Sequence, residues 1–469
     1  RMENMNQTTL KSPPEASGKL GWGVRFAYGC GDTACNLVFG MMSTILTLFY
    51  TDYAGVPAAT VGLVMLLSRV FDGVSDMIMG VVVEHTHSKW GKSRPWLLWM
   101  SVPFAISAVL LFTVPHTTAF LQFLYIFVTY NFCTTVCYTA INLPYGSLSA
   151  MMTRNSDERA YLSIVRMGLS PFGRILAVTV SLPLIQFFGN DQAAWIKTMS
   201  IWGVLAVILL VINFAFCKET VQIEAVKKQA KIPLGKSLKA LVTNRYFWAV
   251  LILWAMQNGL FTFTGTILPY YCRYIFNDDT WLYSTLYLVE TLVLVAGTFC
   301  SPFLLKRFGK RNMSLAGAIL AFVGQLVFFL NPYSVQWLFF SCIVRAIGLA
   351  PFNSVVFGML GDAVEYGQWK THVRQESMVF AGGSVGSKIG AGLTSFAITS
   401  LLGLAGFISS TTGGTVQPDS ALDMIVNVYK FGPLVIWAVI IVVLALYQLD
   451  KNYDKIMQDL AEREARGEV

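Results

Sequence analysis

Three charged residues lie inside the apolar segment SRVFDGVSDMIMG, residues 68–80. They are Arg69, Asp72 and Asp76, and Ser75 lies directly before the second acid. Residues three, four and seven positions apart share one face of a helix, so these side chains point broadly the same way. The segment therefore predicts one polar patch on an otherwise apolar helix.

The residue types of this patch are those of an ion site. A charge inside a membrane costs about 2.5–3.5 kcal/mol, so it faces a protein interior or an aqueous cavity and is paired there. Arg69 neutralises one carboxylate, which leaves the other to hold a proton or to bind Na⁺ or Li⁺ through its oxygens. The alternative is a buried ion-pair cluster that only orients helices. The sequence favours a cation or proton site at Asp72 and Asp76, and the Ser75 hydroxyl belongs to the same polar patch.

A second polar patch lies in YTAINLPYGSL, residues 138–148. Thr139 and Asn142 are three positions apart and share a helix face. Pro144 and Gly146 follow and predict an interrupted helix, as is common where a transporter binds its substrate. Thr139 could complete the shell of a cation, and Asn142 could reach a second ligand.

Asp32 and Asn36 are one helical turn apart in the first apolar segment. Asn36 is a candidate hydrogen-bonding group for a polar ligand. Asp32 lies near one end of the segment, so it is either a ligand contact or a gate or helix-end contact.

Three cations lie in later apolar segments: Arg166, Arg174 and Lys388. They could pair with acids inside the membrane, which are Asp72, Asp76 and Glu290. Alternatively, one of them binds an anionic group of a substrate by charge-assisted hydrogen bonds, worth about 1.5–3 kcal/mol each. The sequence leaves both readings open.

The loop GDAVEYGQWKTHVRQES, residues 361–377, mixes acids, bases and a tryptophan. This mixture indicates a cytoplasmic gate, in which charged side chains join in one state of a transporter and separate in the other. The alternative is a solvated loop. The gating candidates are Asp362, Glu365, Trp369 and Arg374 in this loop, together with Arg69.

These residues must be positioned by helices in a bilayer. The 469 residues are 55% hydrophobic and only 13% charged, and the mean hydropathy is +0.57, whereas soluble domains are about a quarter charged. Apolar runs long enough to cross a core of about 30 Å predict about twelve spanning helices. Their approximate bounds are 26–50, 61–83, 96–114, 120–143, 162–187, 198–216, 247–275, 284–305, 314–330, 337–360, 379–404 and 426–446.

A polar, lysine-rich segment at 218–245 separates the spans into two series of six. We therefore predict an N-terminal six-helix bundle at 1–217, a cytoplasmic linker, a C-terminal bundle at 246–450 and a cytoplasmic tail at 451–469. Basic residues cluster in alternate loops. By the positive-inside rule, those loops and both termini are expected in the cytoplasm. The chain is then expected in the inner (plasma) membrane of the cell. The net charge of +8 then reflects topology, and nucleic-acid binding is not expected.

An internal repeat supports the division into halves. KWGKSR, residues 89–94, lies between the second and third predicted spans, and RFGKRN, residues 307–312, lies between the eighth and ninth. Equivalent loops are expected when two six-helix halves are structural repeats, as in many transporters. The eight cysteines lie in or beside apolar spans without metal-ligand spacing, so we interpret them as packing residues.

At these motifs the sequence resembles the glycoside-pentoside-hexuronide:cation symporter family, which is similar to the major facilitator superfamily. The resemblance rests on YGCGDTACN, SRVFDGVSDMIMG, KWGKSRPWLLW, INLPYGSL followed by DERAYL, and GDAVEYGQWKTHVRQES, in this order. It implies an all-α membrane fold of twelve helices that imports sugars with a cation gradient. It makes Asp72 and Asp76 cation ligands, with Ser75 and Thr139 as contributors.

The resemblance also implies sugar contacts at Asn36, Tyr138, Asn142 and Arg166. Neutral amides at Asn36 and Asn142 keep hydrogen bonds to sugar hydroxyls and do not repel an anionic sugar. A hexuronide such as a glucuronide is therefore expected slightly ahead of a neutral glycoside or pentoside. We expect a monomer with a coupling cation and no cofactor.

The sequence disfavours two other classes of protein. Phosphate-binding loops and nucleophile elbows are not found in the sequence, so an enzyme or a self-contained ATP-driven pump is not expected. A membrane sugar sensor that binds without transporting remains a less favoured alternative.

Overall fold

The computed structural model describes residues 19–153, 156–220, 239–278, 280–372 and 376–466. These residues form helices and short connections, and none of them lies in a β-strand. Of the predicted linker, residues 221–238 lie outside the described part.

The helices before the linker follow the predicted spans closely. They are α1 (Trp22–Thr44), α2 (Leu46–Asp52), α3 (Ala58–Glu84), α4 (Arg94–Trp99), α5 (Ser101–Leu110), α6 (Ala119–Asn131), a π-helix (Phe132–Tyr138), α7 (Thr139–Met152), α8 (Ser156–Phe187) and α9 (Gln192–Phe216). The first span bends by 45° between α1 and α2. The third is shorter than predicted and is divided at Met100 between α4 and α5.

The helices after the linker are α10 (Arg245–Ile275), α11 (Trp281–Val327), α12 (Val335–Thr371), α13 (Glu376–Leu404), α14 (Asp419–Leu446) and α15 (Leu449–Ala465). The long α11 contains two spans and breaks its helical geometry at Gly309, where φ is 76°. Ten helices of the described chain are long and apolar enough to cross a membrane, and the bent first span makes eleven. The shorter apolar helix 94–110 takes the place of the third predicted span.

Large apolar side chains cover the outside of the bundle. Phe71, Val74, Phe172, Phe299 and Phe303 are each at least half exposed. Surfaces of this kind are normal for a protein whose solvent is lipid. Among the charged residues singled out from the sequence, Asp32 and Asp72 are in contrast less than 10% exposed.

The helix is not interrupted at Pro144 and Gly146, so this prediction was wrong. Residues 139–152 form one continuous helix with Pro144 inside it. The irregular turn is the π-helix immediately before, at Phe132–Tyr138. A π-helix accommodates extra residues in a turn and is frequent at functional sites, so the irregularity still lies beside the polar patch.

The repeated loops make equivalent contacts in the two halves. Gly91 and Gly309 both have positive φ angles, 110° and 76°. After Gly91, the Glu219 carboxylate accepts the backbone N–H groups of Lys92, Ser93 and Arg94 at 2.7–2.9 Å. After Gly309, the Asp450 carboxylate accepts the N–H of Arg311 at 2.8 Å.

The arginines of these loops anchor the ends of the last helices. The Arg94 side chain donates to the carbonyl groups of Phe214 and Ala215 at the end of α9. Arg311 donates to those of Leu444 and Ala445 at the end of α14. The repeat seen in the sequence is therefore also a repeat of contacts.

The segment beyond the last span is a packed helix. Helix α15 covers residues 449–465, and its side chains Leu449, Ile456 and Leu460 are buried against the helices of the C-terminal half. All eight cysteines are free thiols. Six of them are buried packing residues as predicted, but Cys30 is half-buried and Cys300 is exposed.

Candidate functional site

A cavity of about 540 Å³ lies between the two halves, at the middle of the spanning helices. Its N-terminal wall is formed by α1, α2, α3, α6, the π-helix, α7 and α8, and its C-terminal wall by α10 and α13. Its volume falls in the range of small-molecule sites, about 300–1,000 Å³. Most of the charged residues singled out from the sequence line this cavity.

Asp72 is held by groups of the N-terminal half. Its carboxylate forms an ion pair with Arg69 (Nη1–Oδ2 3.2 Å) and accepts a hydrogen bond from the Thr135 hydroxyl at 2.7 Å. Arg69 also donates to the Tyr130 hydroxyl at 3.2 Å. Asp72 is only 4% exposed, so this carboxylate is the more enclosed of the two acids.

Asp76 is held by groups from both halves. It accepts a hydrogen bond from the Thr139 hydroxyl at 3.2 Å, and it forms an ion pair with Lys388 of α13. The side chains of Asp76 and Lys388 are 35% and 26% exposed. This ion pair therefore faces the cavity, where a water-borne ion can reach it.

Lys388 supplies the second positive charge that the local sequence of α3 lacks. Each of the two acids has its own cationic partner, so neither is in surplus in this arrangement. The ammonium group of Lys388 is a compact point charge beside Asp76. It occupies the kind of position that Na⁺, Li⁺ or a proton would take, and a cation site at Asp72 and Asp76 stays a prediction.

Ser75 is not a cavity residue. Its hydroxyl donates to the backbone carbonyl of Thr135, so it joins α3 to the π-helix. Thr135, which sequence reasoning missed, contacts Asp72 directly. The signal was present, because Thr135 lies one helical turn before Thr139.

The sugar-contact candidates separate into two groups. Tyr138 and Asn142 line the cavity. Asn36 and Asp32 do not: the Asn36 amide donates to the carbonyl of Asp32 at 2.9 Å and to the Ser170 hydroxyl at 3.0 Å. In this arrangement Asn36 links α1 to α8.

Arg166 and Arg174 both line the cavity, but their surroundings differ. Arg166 forms an ion pair with Asp32 (Nη2–Oδ1 3.3 Å) and lies over the Tyr145 ring. Arg174 donates to the neutral hydroxyl of Ser43 at 2.9 Å and has no ion pair within the described part of the chain. Arg174 is therefore the better candidate for an anionic ligand.

The described contacts of the gating candidates Arg69, Asp362 and Trp369 lie within their own half. Asp362 forms an ion pair with Lys310 at 2.6 Å, and the Trp369 indole donates to Asp459 of α15 at 3.0 Å. Glu365 also has an interaction partner. Arg374 lies outside the described residues. A charge network that closes this end between the halves stays a prediction.

Sequence reasoning missed a buried ion pair between the halves. Asp52, at the end of α2, pairs with Arg273 near the end of α10 (Oδ2–Nη1 3.3 Å). The same carboxylate accepts hydrogen bonds from Tyr274 at 2.7 Å and Thr51 at 2.9 Å. These residues define what we call the Asp52 end of the bundle. The linker end is the opposite one, where α9 ends and α10 begins.

Contacts between the halves cluster on the Asp52 side of the cavity. The Tyr270 and Thr51 hydroxyls are 2.8 Å apart, and the N–H of Ser410 donates to the Thr51 carbonyl at 2.7 Å. Among the described residues, the polar contact between the halves that lies nearest the linker end is the one between Asp76 and Lys388. This distribution is that of a carrier closed at the Asp52 end.

Most of the chain matches a known family. The match covers residues 27–451, and the family is described as MFS/sugar transport protein. The chain belongs to this family. The protein is therefore a multi-pass membrane transporter and sugar symporter of the glycoside-pentoside-hexuronide:cation type, and not an enzyme.

Related proteins match over nearly their full length. The isoprimeverose transporter of Lactiplantibacillus pentosus is 34% identical over 95% of this chain and 92% of its own. The glucuronide carrier protein homolog of Escherichia coli K12 is 30% identical over 95% and 96%. The crystal structure of a D-xylose-proton symporter has the same fold, with a TM-score of 0.62 at 13% identity over 90% of this chain and 97% of its own.

Proposed function

We propose that this symporter imports a glycoside together with Na⁺, Li⁺ or H⁺, and that the cation binds at Asp72 and Asp76. The observation that carries the proposal is the ion pair between Asp76 and Lys388, which faces the same cavity as Asn142. We place the chain in the inner membrane as a monomer, with both termini and the linker end in the cytoplasm. The positive charges of the alternate loops support this orientation.

In this proposal the cation replaces the ammonium group of Lys388 at Asp76. The Thr139 hydroxyl now donates to Asp76, and it would turn its oxygen toward the bound ion. Asn142 lies one turn further along the same helix, so an ion that fixes α7 also fixes a sugar contact. Each ligand would then raise the affinity of the other by the same factor, typically worth about 1–3 kcal/mol.

The loaded carrier would alternate access by movement of one half against the other. The Asp52 end is closed in this structure, and in the proposed orientation this closed end faces the outside. Opening to the outside would separate Asp52 from Arg273 and the hydroxyl contacts around them.

Flux into proteoliposomes tests the proposal. Purified protein is reconstituted, and uptake of isoprimeverose and of phenyl glucuronide is measured with a Na⁺ gradient, with a proton gradient and without a gradient. Uptake that one gradient drives above equilibrium identifies the sugar and the ion together. Binding without flux would instead support a sensor.

A hexuronide is a second candidate, and Arg174 favours it. Its guanidinium lines the cavity without an ion pair in the described chain, whereas Arg166 is already paired with Asp32. We expect Arg174→Ala to weaken binding of phenyl glucuronide by about 10- to 150-fold, the equivalent of 1.5–3 kcal/mol for a hydrogen bond to a charged group. Binding of the neutral phenyl glucoside should change less. Equal loss for both sugars would indicate a structural arginine and a neutral glycoside.

A further inference from the structure

The two walls of the cavity differ in chemistry. The N-terminal wall carries five charged residues: Arg69, Asp72, Asp76, Arg166 and Arg174. The C-terminal wall carries neutral polar groups, apart from Lys388, which is paired with Asp76. A ligand in the cavity therefore meets a charged surface on one side and a hydroxyl- and amide-rich surface on the other.

The neutral groups of α10 form a line. Asn258, Thr262 and Thr266 line the cavity at intervals of four residues, so they follow one another along a single face of the helix. With a rise of 1.5 Å per residue, the line from Asn258 to Thr266 is about 12 Å long. This length exceeds one sugar ring and suits two joined rings.

These groups are available to a ligand. The Asn258 amide nitrogen donates to the carbonyl of Trp254 at 3.0 Å, which leaves its oxygen as an acceptor. The hydroxyls of Thr262 and Thr266 make no hydrogen bond within the described part of the chain. Threonines in helices commonly bond to their own backbone, as Thr394 does in α13. Within the described chain, the two threonine hydroxyls and the Asn258 amide oxygen are thus free to bind a ligand.

We propose that Asn258, Thr262 and Thr266 bind the second ring of a two-ring polar glycoside while its first ring lies against the N-terminal wall. This inference rests on the proposed function. It assigns the aglycone specificity to α10, and it favours a second sugar ring over an apolar aryl group. An aryl group would leave these polar groups without partners, which costs affinity.

The arrangement also links substrate size to transport. A disaccharide contacts both halves at once, so part of its binding energy depends on how closely the walls approach. A monosaccharide against the N-terminal wall makes no contact with the line on α10, so it gains less binding energy from the approach of the two walls. Gly265 brings α10 close to α1 beside this line, since a Cβ atom there would lie 2.8 Å from the carbonyl oxygen of Ser43.

Isothermal titration of the purified full-length protein tests the subsite. The probes are the disaccharides isoprimeverose and melibiose and the monosaccharides xylose, glucose and galactose. The variants are Thr262→Val and Thr266→Val, which remove a hydroxyl with little change in shape. Thr264→Val is the matched control, because Thr264 lies on the same helix but does not line the cavity.

We expect the wild type to bind one disaccharide more tightly than either of its component sugars. Thr262→Val and Thr266→Val should each weaken that disaccharide about 2- to 10-fold, the equivalent of one hydrogen bond of 0.5–1.5 kcal/mol. Monosaccharide affinity should not change, and Thr264→Val should alter neither affinity.

Three results would overturn the inference: equal affinity of the wild type for a disaccharide and its components, monosaccharide binding without disaccharide binding, or variants that weaken both sugar classes alike. In each case sugar binding itself survives. If neither those sugars nor phenyl glucuronide binds to a folded preparation, the proposed function fails instead. The two failures are therefore distinguishable.

Discussion

The ion pair between Asp76 and Lys388 joins the two halves beside the cavity. It lies on the cavity side of α3 and α13, where both side chains retain access to solvent. Asp72 is enclosed with Arg69 and Thr135. The two acids of one helix thus have different surroundings, and a cation from solution reaches Asp76 first.

Asp76→Asn should uncouple sugar movement from the ion gradient. The amide cannot neutralise Lys388 or attract a cation, so we expect gradient-driven uptake to fall about 5- to 150-fold, the range of a coupling free energy of 1–3 kcal/mol. Sugar exchange between the two sides should persist. Proteoliposome uptake and counterflow, with and without Na⁺, measure both quantities.

Lys388→Met completes a double-mutant cycle with Asp76→Asn. Because the single variants each leave one charge without its partner, the double variant should lose less thermal stability than the sum of the two. Additive losses, or unchanged Na⁺ and pH dependence of uptake in Asp76→Asn, would exclude this pair as the coupling site.

The π-helix is the element that brings Thr135 to Asp72. Removal of that hydroxyl by Thr135→Val leaves a buried carboxylate oxygen without its donor, at a cost of about 1–3 kcal/mol. We expect a lower thermal unfolding temperature in detergent. Thr129→Val is the control, because the Thr129 hydroxyl donates only to carbonyl groups of α6. Equal falls in unfolding temperature for Thr135→Val and Thr129→Val would show that the hydrogen bond between Thr135 and Asp72 does not stabilise the protein.

Helix α15 packs against the linker end of the C-terminal half. Leu460 is 4% exposed, and Met457 on the same helix is 39% exposed. Leu460→Ala removes buried apolar volume at a cost of about 2–5 kcal/mol and should lower the unfolding temperature by several degrees. Met457→Ala should have little effect. Similar shifts for both variants would show that Leu460 is not buried against this half in the folded protein.

At the scale of the whole molecule, the closed Asp52 end defines the state of the carrier. Helices α3 and α13 approach closely near this end, because a Cβ atom at Gly403 would lie 3.3 Å from that of Ala59. This separation is close to the Cβ–Cβ distance of a disulfide, about 3.5–4.5 Å. A cysteine pair at these positions would therefore lock the halves.

The variant Ala59→Cys/Gly403→Cys should form a disulfide on mild oxidation and stop uptake, and reduction should restore uptake. Each single cysteine variant is the control, since both keep the eight native thiols. A mass shift measured after blocking free thiols reports the cross-link. Full uptake by the cross-linked protein would contradict alternating access through movement at this end.

Much of this protein follows from local sequence. The apolar runs predicted the spans because a helix that crosses a bilayer must satisfy its own backbone hydrogen bonds and cover them with apolar side chains. The charges of residues 68–80 share a helix face by spacing alone, so their common placement was predictable. The paired loops at Gly91 and Gly309 were visible as a repeat because the same backbone turn requires the same residue.

The tertiary structure decided which groups meet across the sequence. Lys388 neutralises Asp76 from 312 positions away, and Arg273 does the same for Asp52 from the other half. The polar line of α10 was likewise not singled out, because asparagine and threonine in an apolar helix also occur where they bond to their own backbone. Spacing determines which face of a helix a residue occupies. Only the packing of helices determines what that face meets, since contacts between distant segments depend on how all the helices fit together.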